Sequence, residues 1–200
     1  MIKYSLLSIF TIFFFQTSSH AGVLFEPYAG YESGNINYKF KSSASFPDTY
    51  NDSISGAAYG AKLAYTFPMF FIGADGNLFT GTQKYDSKIN ATPAQVNATR
   101  TTIYALAGIN IQKLRLWFGY SPSDITTVKV TRGDDTYSGT AVRLGIGYHF
   151  LPHLSINFEY DMHTVNDYTP AGGTAVAMDT YFSQYSYNAY MVSASFPFMF

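Results

Sequence analysis

Cysteine is absent from this chain of 200 residues, and charged residues are scarce. The lack of cysteine excludes disulfides and thiol chemistry. Asp, Glu, Lys and Arg together make up 12% of the chain, about half of their usual share in soluble proteins. The net charge of −1 gives no reason to expect a nucleic-acid partner, which calls for a basic surface. Aromatic residues are plentiful instead, at 18%.

Long apolar runs are absent after residue 21, so no later segment predicts a transmembrane helix. The first 21 residues contain Lys3, an apolar stretch at 6–15, and small or polar residues that end at Ala21. This order is typical of a secretory signal peptide. The alternative, an N-terminal membrane anchor, needs a longer apolar stretch. We therefore predict a cleaved signal peptide at 1–21 and one exported domain at 22–200.

Alternation of apolar and polar residues is the main structural signal of the exported part. It is clearest at 154–163, where five apolar residues alternate with five polar ones, and it recurs at 140–150. The final eleven residues alternate as well, with Phe196, Phe198 and Phe200 on one face. Tilted strands of about 10 residues cross a bilayer, whereas strands of soluble sheets usually have about 5 or 6.

The alternation predicts eight strands in all. They are 23–33, 55–67, 70–80, 101–111, 114–120 with a continuation at 126–131 after a disturbance at Pro122, 140–150, 154–163 and 190–200. Short turns are expected around 68, 113 and 152, and long loops at 41–54, 81–99, 132–139 and 164–186. Short turns that alternate with long loops indicate an all-β, eight-stranded antiparallel up-and-down transmembrane β-barrel.

Closure of this barrel is a physical requirement, because lipid cannot hydrogen-bond to the open edge of a sheet. The last strand, 190–200, must therefore pair with the first, 23–33. Since proline has no N–H, we expect Pro197 to remove one donor from this seam, which is tolerable near the periplasmic end.

Several segments resemble strands of small eight-stranded outer-membrane proteins, the superfamily of the membrane domains of outer-membrane proteins A, X and W. The first is EPYAGYE at 26–32, and the others lie at 59–67, 70–76, 142–150 and 154–161. The resemblance implies a place in the bacterial outer membrane, in contact with its lipid and lipopolysaccharide. It also implies insertion by the barrel assembly machinery, for which Phe200 would be the C-terminal signal. We expect a monomer with no cofactor, no metal and no nucleic-acid partner.

Ten polar residues fall on the faces predicted to line the interior. They are Glu26, Glu32, Lys62, Asp75, Arg115, Arg143, His149, Glu159, Asp161 and His163. Unpaired charges in a narrow lumen would be costly, and eight strands enclose only enough room for side chains. We expect an ion-paired network that fills the lumen, and a structural or surface-interaction role. The alternative is a narrow channel or transporter for small apolar molecules, like outer-membrane protein W.

An enzymatic role has weak support in the sequence. His153 and Ser155 resemble the His-x-Ser element of lipid A deacylases, but they lie at a predicted periplasmic turn, while lipid A is in the outer leaflet. His163, Asp161 and Glu159 follow from strand alternation alone. We therefore expect no catalytic site.

Overall fold

The computed structural model of the chain describes residues 21–41, 49–86 and 95–200. The signal peptide predicted at 1–21 lies outside these residues except for Ala21. The long strands are β1 (Gly22–Phe40), β2 (Tyr50–Thr66), β3 (Phe70–Lys84), β4 (Gln95–Ile111), β5 (Leu114–Val130), β6 (Gly133–Leu151), β7 (Leu154–Thr169) and β9 (Phe182–Ser195). Two short strands, β8 (Val176–Ala177) and β10 (Phe198–Met199), complete the sheet.

The eight long strands form a closed antiparallel ring. Each of β1 to β7 pairs with the next strand along the chain, and β9 pairs with both β7 and β1. This confirms the predicted eight-stranded up-and-down barrel. No helix within the described part of the chain is long and apolar enough to cross a membrane.

The seam between the first and last strands closes despite two prolines. Val23 and Phe200 exchange two backbone hydrogen bonds, of 2.9 and 3.0 Å, and the Phe196 N–H donates to the Pro27 carbonyl at 2.9 Å. Backbone groups alternate in direction along a strand, so the Pro197 nitrogen points away from β1. The expectation that Pro197 removes a donor from the seam is therefore wrong. The donor missing from the seam is the one that Pro27 lacks.

The outer face of the barrel carries an apolar belt that starts at the end with the short turns. On β1 the outward side chains of Val23, Phe25 and Tyr31 are exposed and apolar, and those of Ser33 and Asn35 beyond them are polar. The belt covers residues 23–31, 57–65, 70–78, 103–111, 116–125, 142–150, 154–162 and 190–198. About nine residues per strand, tilted by about 40°, give a height of about 23 Å, close to the apolar band of a membrane barrel.

Beyond the belt the apolar side chains lie on the inner face instead of the outer face, and the strands continue as a barrel with a polar outer surface. Ile36, Tyr38, Ile54, Phe79 and Val128 now point inward and form one buried apolar cluster. The loops expected at 41–54, 81–99, 132–139 and 164–186 were therefore predicted too long, because strand residues occupy part of each. The loop expected at 132–139 is instead a tight turn at 131–132, followed by Gly133 with φ of +135°.

The disturbance predicted at Pro122 is an irregularity within a continuous strand. The register between β5 and its two neighbours shifts between Ser121 and Asp124, and opposite it between Thr102 and Ala105. An inserted residue reverses which residues face inward. As a result Arg115 and Trp117 point inward before the shift, and Asp124 points inward after it.

Candidate functional site

The inside of the belt is filled by polar side chains from at least six strands. The structure places all ten residues of the expected interior set in the lumen, nine of them buried and His149 half-buried. They come from β1 (Glu26, Glu32), β2 (Lys62), β3 (Asp75), β5 (Arg115), β6 (Arg143, His149) and β7 (Glu159, Asp161, His163). We refer to these ten residues, with Arg100 and Asp124, as the lumen network.

Arg143 is the centre of the lumen network. Its Nε and Nη2 donate to the two oxygens of Asp161, each at 2.7 Å, and its Nη1 donates to Asp75 at 2.7 Å. The guanidinium carbon also lies 4.2 Å from the centre of the Tyr104 ring, which adds a cation–π contact. Arg143 is completely buried, so these partners replace the water that the cation loses on folding.

Lys62 and Glu159 form the second central pair. The Lys62 Nζ lies 2.9 Å from the Glu159 carboxylate, as an ion pair without the alignment of a hydrogen bond. The same ammonium lies 4.1 Å from the centre of the Tyr28 ring and 5.0 Å from that of Trp117. The second Glu159 oxygen is 3.5 Å from Arg143, which joins the two pairs into one cluster.

A second guanidinium cluster lies toward the end with the longer loops. Arg100 donates to both oxygens of Glu32, at 2.8 and 2.6 Å, and lies 3.7 Å from Asp124. The Asp124 carboxylate accepts a hydrogen bond of 2.8 Å from the His163 Nδ1, and the His163 ring stacks on Tyr187 at 4.2 Å. Parallel hydrogen bonds to a carboxylate are among the strongest that a guanidinium forms.

A third cluster lies toward the short turns. Arg115 pairs with Glu26, which also accepts a hydrogen bond of 2.6 Å from the Ser195 hydroxyl. Arg115 also contacts the His149 Nε2 at 2.9 Å, and the His149 Nδ1 lies 2.7 Å from the Ser155 hydroxyl. The three clusters therefore occupy successive levels of the lumen.

Trp117 fills part of the lumen between β5 and β6. Its indole lies against the backbone of β6, where a Cβ added at Gly145 would be 2.0 Å from the ring. At Gly147 the added Cβ would be 3.1 Å from the same ring. These two glycines leave the space that the indole fills, so side-chain packing as well as charge obstructs the lumen.

The family of the chain follows from comparison with known proteins. The model of the outer membrane protein beta-barrel domain matches residues 7–198. The chain belongs to this family. No curated protein matches it. The family places the protein in the bacterial outer membrane, where short turns face the periplasm and longer loops face outward. The apolar cluster around Ile36 and Tyr38 is thus on the extracellular side.

Several solved structures of bacterial outer-membrane proteins are similar to this fold. Ail of Yersinia pestis, solved with the heparin analogue sucrose octasulfate, is 10% identical with a TM-score of 0.53, and the match covers 88% of this chain and 99% of Ail. Neisserial surface protein A is 14% identical with a TM-score of 0.50, over 90% of this chain and 100% of that one. OprG of Pseudomonas aeruginosa is 12% identical with a TM-score of 0.50, over 90% and 98%. At these identities the likeness shows the fold alone.

The serine and histidine near the periplasmic turn of this outer-membrane barrel are not arranged for nucleophilic catalysis. His153 is exposed on the turn, while Ser155 is buried and contacts His149. Arginine only donates, so the His149 Nε2 accepts from Arg115 and its Nδ1 carries the proton toward Ser155. A base for Ser155 would need its lone pair on that Nδ1.

Three residues of the site were not predicted from the sequence. Arg100 precedes the strand predicted at 101–111, Asp124 lies between the two predicted parts of β5, and Trp117 was not considered as a lumen residue. Arg100 could have been found by extending the alternation of β4 backward, since the even-numbered residues from Ala98 to Leu106 all point inward. Asp124 could not have been found in this way, because the irregularity in β5 reverses the alternation of inward and outward residues just before it.

Proposed function

We propose that this protein is a closed outer-membrane barrel with a structural or surface-interaction role and no enzymatic activity. One observation carries the proposal: Arg143, Glu159 and Asp75 meet at the middle of the lumen and are completely buried. A lumen filled in this way leaves the extracellular extension as the part that can meet other molecules.

The energetics of the lumen network support a closed state. A solute that crossed the lumen would have to separate buried ions from their partners, and leaving a buried charge unpaired costs about 3–5 kcal/mol. The apolar cluster around Ile54 and Phe79 lies above the network, and the cluster that includes Phe71 and Trp117 lies beside it. An ion or polar solute would therefore meet apolar layers as well.

The alternative of a narrow channel for small apolar molecules fits this lumen poorly. Lys62, Arg143 and Glu159 hold one another through ion pairs, and an apolar solute cannot replace those partners. The lumen network also contains six carboxylates against four lysine and arginine groups, beside two histidines, so any ion path through it would favour cations.

A liposome flux assay tests the closed lumen. The purified protein is reconstituted into liposomes, and the entry of small neutral solutes and of an aromatic hydrocarbon is followed by swelling and by a trapped fluorescent reporter. We expect rates equal to those of protein-free liposomes. Entry that rises with the amount of folded protein, and rises further when Trp117→Ala removes the obstructing ring, would support the channel instead.

We further propose that the chain is exported with cleavage after Ala21 and is inserted by the assembly machinery through Phe200. The Phe200 side chain is 81% exposed, while its backbone hydrogen-bonds to Val23. Phe200→Ala keeps those backbone bonds, so a loss of assembled protein in the outer membrane would report on recognition of the side chain. We expect the assembled amount of Phe200→Ala, measured by heat-modifiable migration on gels, to fall several-fold, and that of Met199→Ala to stay unchanged. The measured mass of the mature protein should correspond to a chain that begins at Gly22.

A further inference from the structure

The extracellular extension encloses a cavity that the lumen network does not reach. Its volume is about 420 Å³, within the usual size range of small-molecule sites. Its aromatic walls include Tyr38, Phe40, Tyr137, Tyr168, Phe182 and Tyr185. We call this space the aromatic cavity.

The rings of the aromatic cavity hold one another in place. The centre of the Tyr38 ring lies 6.4 Å from that of Tyr185 and 5.6 Å from that of Phe182. The centre of the Tyr137 ring lies 6.4 Å from that of Tyr185 and 5.1 Å from that of Tyr168. Such contacts fix the rings before any ligand arrives. The result is a preformed set of π faces, whose quadrupoles attract a cation.

A buried carboxylate lines the cavity beside these rings. Asp52 is almost completely buried, with 1% of its surface exposed, and it lines the cavity. It accepts hydrogen bonds from the Gln83 amide at 2.8 Å, from the Asp86 N–H at 2.9 Å and from the Tyr38 hydroxyl at 3.4 Å. In the part of the chain that the structure describes, no Lys, Arg or His nitrogen lies within 4 Å of this carboxylate.

We propose that the aromatic cavity binds a small organic cation, a quaternary or alkylated ammonium, with its charge between the aromatic faces and Asp52. The inference rests on the proposed surface role, because it places ligand binding in the extracellular extension. Aromatic rings that surround an ammonium group next to a carboxylate are an established physical means of recognising such ligands.

Other ligand classes match the cavity less well. An anion would meet Asp52, and a neutral apolar molecule would leave that carboxylate without a counter-charge. A metal ion needs several converging donors, and the described residues contain no group of three or more His, Cys, Asp or Glu that could hold one. Arg132, at the rim, already pairs with Asp135 at 3.2 Å, so it offers little to an anion.

The pKa of Asp52 reflects a buried carboxyl without a counter-charge. Burial raises the pKa of Asp52 above its ordinary value, against hydrogen bonds from Asp86, Gln83 and Tyr38 that lower it. Burial and the nearby Asp52 raise the pKa of Tyr85 to about 12, so this phenol stays neutral. A cation in the cavity would stabilise the ionised form of Asp52.

A pair of ligands that differ only in charge tests the proposal. Choline and its neutral isostere 3,3-dimethyl-1-butanol are titrated into the full mature protein in maltoside detergent, and binding is followed by calorimetry and by saturation-transfer NMR. We expect choline to bind about tenfold more tightly, the ratio that cation–π and carboxylate contacts of ordinary strength give. Equal affinities, or binding of neither ligand, would overturn the proposal.

Two variants locate the binding and one controls for it. Asp52→Asn keeps the shape of the side chain and should weaken choline binding about tenfold, and Tyr185→Leu should weaken it several-fold. Asp179→Asn removes an exposed extracellular carboxylate outside the cavity and should leave binding unchanged. Each variant is checked for folding by heat-modifiable migration. Choline binding that survives Asp52→Asn, or binding of neutral saccharides in place of choline, would contradict the proposal.

The result for the cavity is separable from the result for the lumen. If liposomes stay sealed and choline does not bind, the cation proposal fails and the closed barrel stands. If choline binds and solutes still cross the membrane through the folded protein, the closed-lumen proposal fails and the cavity stands.

Discussion

Individual lumen residues carry unequal weight, and Arg143 carries the most. It contacts Asp161, Asp75 and Glu159 and is completely buried. Arg132 also pairs with a carboxylate, that of Asp135, but its side chain is 64% exposed. Exposed ion pairs contribute little, whereas loss of one partner from a buried pair leaves an uncompensated charge.

We therefore expect Arg143→Ala to lower the free energy of unfolding by about 3–5 kcal/mol, because the carboxylates of Asp161 and Asp75 stay buried without their positively charged partner. Arg132→Ala, the exposed control, should change it little. Urea unfolding in detergent or lipid, followed by tryptophan fluorescence and gel migration, measures both. Similar losses in the two variants would show that the lumen network does not hold the barrel together.

Asp52 should cost stability at neutral pH rather than add to it. Its pKa is raised in the folded protein, so the folded state holds its proton up to a higher pH than the unfolded state does. The contribution of this carboxyl to stability therefore falls as the pH rises above its ordinary pKa.

Asp52→Asn should accordingly be more stable than the wild type at pH 7, with a difference that shrinks toward pH 4. The buried Oε1 of Gln83 has no partner among the described residues, so a flipped Gln83 amide can accept from the new Asn. Unfolding at both pH values checks this. A variant that is less stable at pH 7 would mean that ionised Asp52 has a compensating partner.

At the scale of elements, the contact between β5 and β6 depends on a glycine, Gly145. A Cβ at Gly145 would overlap the Trp117 ring, with 2.0 Å between them. A Cβ at Gly76, on β3, would have no heavy atom within 4 Å. The two glycines thus form a matched pair within the same barrel.

We expect Gly145→Ala to destabilise the barrel by about 1–3 kcal/mol, the usual cost of overpacking, and Gly76→Ala to have little effect. The double variant Gly145→Ala/Trp117→Leu should recover part of the loss. Urea midpoints compare the four proteins. If Gly145→Ala is as stable as the wild type, the Trp117 indole does not lie against Gly145.

The strands inside the membrane could be predicted from the sequence, and their extracellular extensions could not. On β1 the exposed apolar side chains are odd-numbered from Val23 to Tyr31, and the apolar side chains are even-numbered and point inward from Ile36 to Phe40. This change of face occurs because lipid surrounds the first part and water the second. A search for one continuous alternation ends where the surroundings change, so the predicted strands were too short.

The interior set could be predicted because charges on one face of a membrane strand can only point inward. Their partners could not be predicted, since pairing such as Arg143 with Asp75 joins residues 68 positions apart. The aromatic cavity was missed for the same reason. Its rings come from β1, β6, β7 and β9, and the sequence alone shows only that aromatic residues are plentiful in the chain.

For the whole molecule, the barrel has two parts with opposite chemistry. The membrane part is apolar outside and ionic inside, and the extracellular part is polar outside and aromatic inside. Closure of the first and last strands removes the edges of both parts. The first part holds the protein in the outer membrane, and the second presents a cavity to the surroundings.

The closed lumen is tested most directly by single-channel recording of the wild-type protein in a planar bilayer. We expect no discrete conductance steps from folded protein under voltage, at neutral pH and high salt. Discrete steps in the wild type that vanish or change size in Arg143→Gln or Glu159→Gln would contradict the closed lumen, because they would place an ion path through the lumen network.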